Sequence, residues 1–299
     1  MPKIGRFTSD QVEADYQRAY EAIAARWPVP STDIDVETSF GTTRVRKSGA
    51  GAGAPLLLLP GISGNGLFWI PFIEDLARDR VVYTPDVIGW AGRCVQTAPV
   101  RNEADVAKWV AEVITGLGVD RVHLAGYSLG AWIAAVAGAY HSERLASLSL
   151  LEPTPAIFAR LRWGLLLKFI VAGIRPTRAK MEKLNAWVSP GIRTTDEEWA
   201  MVLAGLKFRL ALPLPRPFTD ERLAAVTAPL LVLFGADTVL HDPEQAASRV
   251  RRHIPSADIE NYPGVGHDML WVIPEKVIPR LLAFADKHDP VRVQPARNA

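Results

Sequence analysis

The chain has 299 residues, 48% hydrophobic and 22% charged, enough for one large α/β core or two small ones beneath a wetted surface. Lys and Arg number 34 against 32 Asp and Glu, and this near balance excludes a partner recognised mainly by charge, nucleic acid above all. The single cysteine, Cys94, excludes an intrachain disulfide.

Ser9 and Asp10 can cap a helix that runs to about Trp27, where Pro28 and Pro30 stop it. Its apolar positions Val12, Tyr16, Ala19, Tyr20 and Ile23 keep the helical period, so residues 1–30 are expected to form a helical extension packed on the body. Strands are expected at 33–38 and 43–47. The glycines at 49, 51 and 53 precede a strand rather than follow one, so they are a turn and not a dinucleotide loop. From Pro55 the pattern alternates: strand 56–59, helix 68–78, strand 81–85, helix 103–117, strand 122–125, helix 129–140, strand 145–151. Continuous apolar strands between amphipathic helices predict a mostly parallel sheet covered on both faces.

The alternation breaks over 154–225, a helical composition punctuated by Pro155, Pro176, Pro190, Pro213, Pro215 and Pro217, and resumes with a strand at 229–234. A helix at 243–252, a strand at 257–262 and a helix at 274–287 follow. The reading is one core, 31–153 plus 226–288, interrupted by a helical lid at 154–225 and ending in a polar tail, 289–299. The basic run Arg249-Val250-Arg251-Arg252-His253 lacks interleaved aromatics and reads as a solvated helix face. The first residues lack the apolar stretch of a signal peptide. The longest apolar segment, 161–174, holds Arg162 and Lys168 and is too short for a bilayer, so no membrane span and a cytoplasmic setting are expected.

Gly126-Tyr127-Ser128-Leu129-Gly130 reads G-x-S-x-G between an apolar strand and a helix former. A serine on so sharp a turn is held in a strained conformation, and the small flanking residues let neighbouring backbone pass close, so its Oγ stands exposed above the sheet. Ser128 is therefore the candidate nucleophile. A hydroxyl needs a base within hydrogen-bond reach, and His267, in the glycine-rich loop Pro263-Gly264-Val265-Gly266-His267-Asp268 after the last strand, is the candidate. His123 lies inside a strand and reads as a satisfied core histidine; His141, His241, His253 and His288 read as solvent-facing. An oxyanion hole needs two backbone amides. One is the amide of Leu129, next after the nucleophile. The other is expected from the loop Pro60-Gly61-Ile62-Ser63-Gly64-Asn65-Gly66, which lacks the Lys-Ser/Thr of a phosphate loop.

With these motifs in this order the chain resembles the α/β-hydrolase superfamily over roughly residues 33–287, in particular its lidded, esterase-like serine hydrolases with an extra N-terminal helix. The resemblance implies a catalytic histidine at His267 and an oxyanion donor at Ile62. Pro60 stands where the family usually has histidine, which keeps the backbone donor and removes a bracing side chain. The resemblance also implies a triad acid, and here two candidates stay open. The loop after the strand at 229–234 commonly supplies it, but Thr238 holds the expected position and Asp237 comes one residue early. Other members take the acid from the strand end before the lid, where Glu152 stands. Asp86, at a strand end, often shapes the loop beside the pocket in such folds.

The lid is rich in tryptophan and leucine, so an apolar pocket roof is expected, with Trp163 from the lid and Trp69 and Trp132 beside the oxyanion loop and elbow as substrate-lining candidates. The expected activity is hydrolysis of a hydrophobic carboxylic ester, thioester or lactone through an acyl-enzyme on Ser128, with a small hydrophobic acyl compound as the partner molecule. A neutral histidine base predicts a rate that rises with pH through the histidine range, about 6.5. An acyltransferase or cyclase using the same residues, and a non-catalytic ligand-binding protein on the same fold, are the rivals. Aspartate at position 128, the mark of dehalogenases and epoxide hydrolases, is absent. No residues have metal-ligand spacing, and no cofactor is implied. The apolar lid face is also a candidate homodimer contact.

Overall fold

The computed structural model describes residues 4–62, 64–158, 164, 168 and 176–290. A short ribbon pairs β1 (Arg6–Phe7) antiparallel with β9 (Phe208–Arg209). The central sheet holds β2 (Ser31–Thr38), β3 (Gly41–Ser48), β4 (Leu56–Leu59), β5 (Val82–Pro85), β6 (Val95–Gln96), β7 (Val122–Tyr127), β8 (Leu145–Leu151), β10 (Leu230–Gly235) and β11 (Asp258–Tyr262). Its order is β11-β10-β8-β7-β4-β5-β3-β2, with β6 on the edge of β3. The strands from β11 to β5 are mutually parallel, and β3 and β2 add an antiparallel flank. The fold is thus α/β with a mostly parallel sheet.

The four leucines of β4 explain why the sheet is covered twice. Side chains alternate across a strand, so Leu57 and Leu59 enter one core and Leu56 and Leu58 the other. The first core lies under α3 (Glu103–Gly116), α4 (Leu129–His141) and α9 (Pro243–His253), which contribute Trp109, Val113, Ile133 and Val250. The second lies under α2 (Ile73–Leu76), α10 (Met269–Val272) and α11 (Pro274–Lys287), with Ile73, Met269, Val277, Leu281 and Phe284. Each fully buried leucine of β4 contributes about 1.5–3 kcal/mol, so neither layer can be stripped off without unfolding the strand. Asn102 accepts from the Asp105 amide at 2.9 Å and Asp242 from the Gln245 amide at 3.0 Å, which fixes where α3 and α9 begin.

One expected helix is different. Residues 66–72 wind as a 3-10 helix before the single turn of α2, because Pro71 lacks the amide that a continuous α-helix would use. Between β8 and β10 the described elements are α5 (Pro155–Phe158), α6 (Arg178–Val188), α7 (Asp196–Gly205) and α8 (Asp220–Ala224), together with β9. The N-terminal helix α1 (Asp10–Ala24) buries Tyr16, Tyr20 and Ile23 against Leu67, Ala91 and Ala204 of α7. It is wedged between the insertion and the 66–72 turn. No helix among the described residues is long and apolar enough to cross a membrane.

Candidate active site

The turn from β7 into α4 carries Ser128 at φ 54° and ψ −114°, a left-handed backbone that costs a non-glycine residue on the order of 1–3 kcal/mol. Glycines make it feasible. A Cβ on Gly126 would lie 2.3 Å from the Gly130 carbonyl oxygen, and one on Gly130 would lie 2.3 Å from that of Pro60. The Ser128 amide donates to the Leu151 carbonyl at 3.0 Å, tying the turn to the end of β8.

His267 follows β11 and meets Ser128 across the strand ends. Its Nε2 lies 3.0 Å from Ser128 Oγ, and its Nδ1 lies 3.0 Å from Glu152 Oε2. Glu152 directly follows β8, also with a positive φ, 44°, and is 0% exposed. Among the described residues its carboxylate is partnered without a Lys or Arg: Gly235 N–H donates to Oε1 at 2.6 Å and the Thr238 hydroxyl to Oε2 at 3.0 Å. A carboxylate on Nδ1 holds the proton there and leaves the Nε2 lone pair facing the serine hydroxyl.

Of the two open acids, therefore, Glu152 touches the imidazole and Asp237 does not. Asp237 is exposed, and among the described residues its carboxylate has no hydrogen bond or ion pair; only its amide is used, donating to Val265 O at 3.0 Å. Thr238 occupies the position where the resemblance calls for an acid and donates to the acid that arrives from β8 instead.

The loop after β4 is pressed against the elbow. A Cβ on Gly61 would lie 3.1 Å from the Tyr127 ring and 3.7 Å from Ser128 Cβ, and the Gly64 amide closes a turn onto Gly61 O at 3.0 Å. Ile62, next after Gly61 in that turn, is 61% exposed, and Leu129 opens α4. Trp69 and Trp132 are corrected to core residues, 0% and 1% exposed, in the layers on opposite faces of the sheet. They present almost no surface to solvent, and among the described residues each buried indole N–H has no partner. Trp163 lies outside the described residues.

Three neighbours were not singled out by the sequence. The Tyr127 hydroxyl donates to the main-chain oxygen of His267, and its ring packs 5.0 Å from the imidazole. Burial, with Glu152 and Asp268 nearby, pushes that phenol far above its ordinary range, so it stays a donor. Phe68 and Trp271, both half-buried, pack on Tyr127 at 5.3 and 5.4 Å. Their signal was adjacency to motifs: Tyr127 precedes the serine and Trp271 follows His267 by one helical turn. His241, expected at the surface, is instead 3% exposed. Burial lowers its pKa, against a raising pull from Glu152. The insertion meets the site at its start and near its middle: the Thr154 amide donates to Ser128 O at 3.3 Å, and the Gly191 amide to the Asp268 carboxylate. Among the described residues no cluster of His, Cys, Asp or Glu is arranged to hold a metal.

Comparison with known proteins places this geometry. A family model described as alpha/beta hydrolase family matches residues 56–280. An uncharacterized carboxylesterase, nap, of Bacillus subtilis (strain 168) is 26% identical over 90% of this chain and 91% of its own length. Carboxylesterase YbfK of the same organism is 25% identical over 90% and 93%. The solved structure of naproxen esterase (carboxylesterase NP) from Bacillus subtilis has a TM-score of 0.83 at 25% identity, over 93% of this chain and 99% of that one. With the family model covering most of the chain, and the sheet order and strand-end site described above, this chain belongs to the alpha/beta hydrolase family.

Proposed function

We propose that the chain is a serine hydrolase of hydrophobic carboxylic esters. The observation that carries this reading is the continuous chain Ser128 Oγ, His267 Nε2, His267 Nδ1, Glu152 Oε2, with both links at 3.0 Å and the serine on a strained elbow. His267 takes the Ser128 proton as Oγ bonds to the ester carbonyl carbon, and the carbonyl electron pair moves onto oxygen. The amides of Leu129 and Ile62 receive that oxyanion. The alcohol leaves with the proton from His267, and water, deprotonated by the same imidazole, releases the acid and restores Ser128.

The names of the relatives, carboxylesterases, favour an ester as the substrate. Phe68 and Trp271 beside Tyr127, and exposed Ile62 and Val272, favour an apolar acyl group. The insertion, tied to Ser128 through Thr154 and to Asp268 through Gly191, is read as the lid over that group. The test is a series of p-nitrophenyl esters of increasing chain length in pre-steady state. A stoichiometric burst of nitrophenol, with kcat/KM rising along the series, is expected. A linear, burst-free time course below one turnover per site for every ester would point to ligand binding instead.

A further inference from the structure

Helix α1 does more than lengthen the chain. Tyr20 Oη donates to Asp86 Oδ1 at 3.3 Å, and Asp86, fully buried, accepts the Gly66 amide on the same oxygen at 2.8 Å and the Arg93 amide on Oδ2 at 2.7 Å. Four residues earlier, one helical turn away, Tyr16 Oη donates to Ala91 O at 2.9 Å and accepts from Asn65 Nδ2 at 2.8 Å. Asn65 in turn accepts the Leu67 amide at 2.9 Å and so caps the 66–72 turn. Asn65 and Gly66 are the far end of the loop whose near end sets Gly61, the residue before Ile62, against Tyr127 and Ser128. That end has no slack: a Cβ on Gly66 would lie 2.5 Å from Thr84 O.

We propose that Tyr16 and Tyr20 are positioning residues for the oxyanion loop, acting through Asn65 and Asp86, so that α1 is part of the apparatus that stabilises the transition state. The inference rests on the serine-hydrolase reading. Its physical basis is that a backbone donor stabilises an oxyanion only when its position is fixed in advance. A loop of glycines, Gly61, Gly64 and Gly66, has little rigidity of its own. The two hydroxyls anchor it from outside the hydrolase core. Tyr16 and its partner Asn65 also face the insertion: the Tyr16 ring lies where a Cβ on Gly205 would meet it at 3.4 Å, and Asn65 Nδ2 reaches Met201 Sδ at 3.4 Å. Burial, reinforced by the Asp86 charge, pushes both phenols far above their ordinary range, so they remain protonated donors throughout the working pH range.

The experiment compares Tyr20→Phe, Tyr16→Phe and the double variant with wild type, using kcat per active site titrated with a fluorophosphonate. A trifluoromethyl ketone serves as an oxyanion-forming inhibitor. Phenylalanine keeps the ring packing and deletes only the hydroxyl. Losing a whole oxyanion donor costs about 10²–10³ in kcat, so loosening one should lower per-site kcat of the double variant about ten-fold. KM should move less than two-fold, ketone affinity should fall in parallel with kcat, and the pH profile should keep its midpoint. Per-site kcat and ketone affinity within two-fold of wild type would overturn the proposal, even if the melting temperature drops. Wild type left unlabelled at Ser128 would instead remove the serine-hydrolase reading, and this inference with it.

Discussion

Ser128, His267 and Glu152 lie beyond the C-terminal ends of the central strands; Ser147, His123 and Asp289 form a second serine–histidine–carboxylate chain near their N-terminal ends. The distances are as short in the second as in the first: His123 Nδ1 to Ser147 Oγ is 2.8 Å and Nε2 to Asp289 Oδ1 is 2.9 Å. Everything else differs. Ser147 is an ordinary strand residue of β8, paired in register with His123 of β7 and 1% exposed, whereas Ser128 is strained and half-buried. Arg80 clasps Asp289 with two nitrogens at 2.9 and 2.8 Å, and the Ala54 amide adds a third donor at 2.9 Å. Burial opposes the charge on Asp289, but these bonds outweigh it and hold the carboxyl far below its usual range. His123 is lowered by its burial, and the nearby Arg80 charge adds to the effect while Asp289 opposes it. Glu152, by contrast, is held by an amide and a hydroxyl donor, and among the described residues no Lys or Arg pairs with it. Short distances alone therefore do not distinguish the two chains; the strain and exposure of the serine, and the absence of a Lys or Arg at the carboxylate among the described residues, do.

The comparison can be broken most severely at the serines. Ser128→Ala should lower kcat by about 10⁴-fold or more, while Ser147→Ala should leave it within two-fold, both measured on the same ester. The acids come next. Glu152→Gln should cost about 10³–10⁴ in kcat, since the amide cannot stabilise the imidazolium, and Asp237→Asn should cost less than two-fold. The reverse ranking would return the acid to the β10 loop. At the other end of the sheet, Asp289→Asn leaves the Arg80 guanidinium, 7% exposed, without its main counter-charge. A stability loss of about 2–4 kcal/mol in urea with unchanged kcat is expected.

The smallest effect concerns pH. His123 and His241 are both lowered in the folded state, chiefly by burial. Between the folded pKa and the unfolded value of about 6.5 the unfolded chain binds more protons, so folding stability falls as pH drops below about 6.5 and is fully present above it. Wild type should be less stable at pH 5 than at pH 7.5, and His123→Gln should shrink that difference. An equal pH dependence in the variant would show that His123 does not contribute.

Much of this was legible in the chain. The strands β4, β7, β8 and β10 announce themselves as apolar runs because both faces are buried, and G-x-S-x-G marks the elbow because only glycines fit at 126 and 130. The choice of acid was not legible, since it depends on the backbone turn at Glu152 and on how far a glutamate reaches from a strand end. His123 read as a satisfied core residue, yet its partner Asp289 stands 166 positions away in what read as a polar tail. Trp69 and Trp132 lie beside the right motifs, but the way a 3-10 turn and a helix face point is set by packing, which sent both into the core. His241 was misread for the opposite reason: a polar residue in a loop gives no sign that the loop is covered.

The most direct test of the central claim, that Ser128 is activated by His267 and Glu152, is fluorophosphonate labelling followed by intact mass and peptide mapping. One adduct per chain, on Ser128, absent in Ser128→Ala and strongly slowed in Glu152→Gln, is predicted. An adduct on another serine, or labelling at the same rate in Glu152→Gln, would contradict the account.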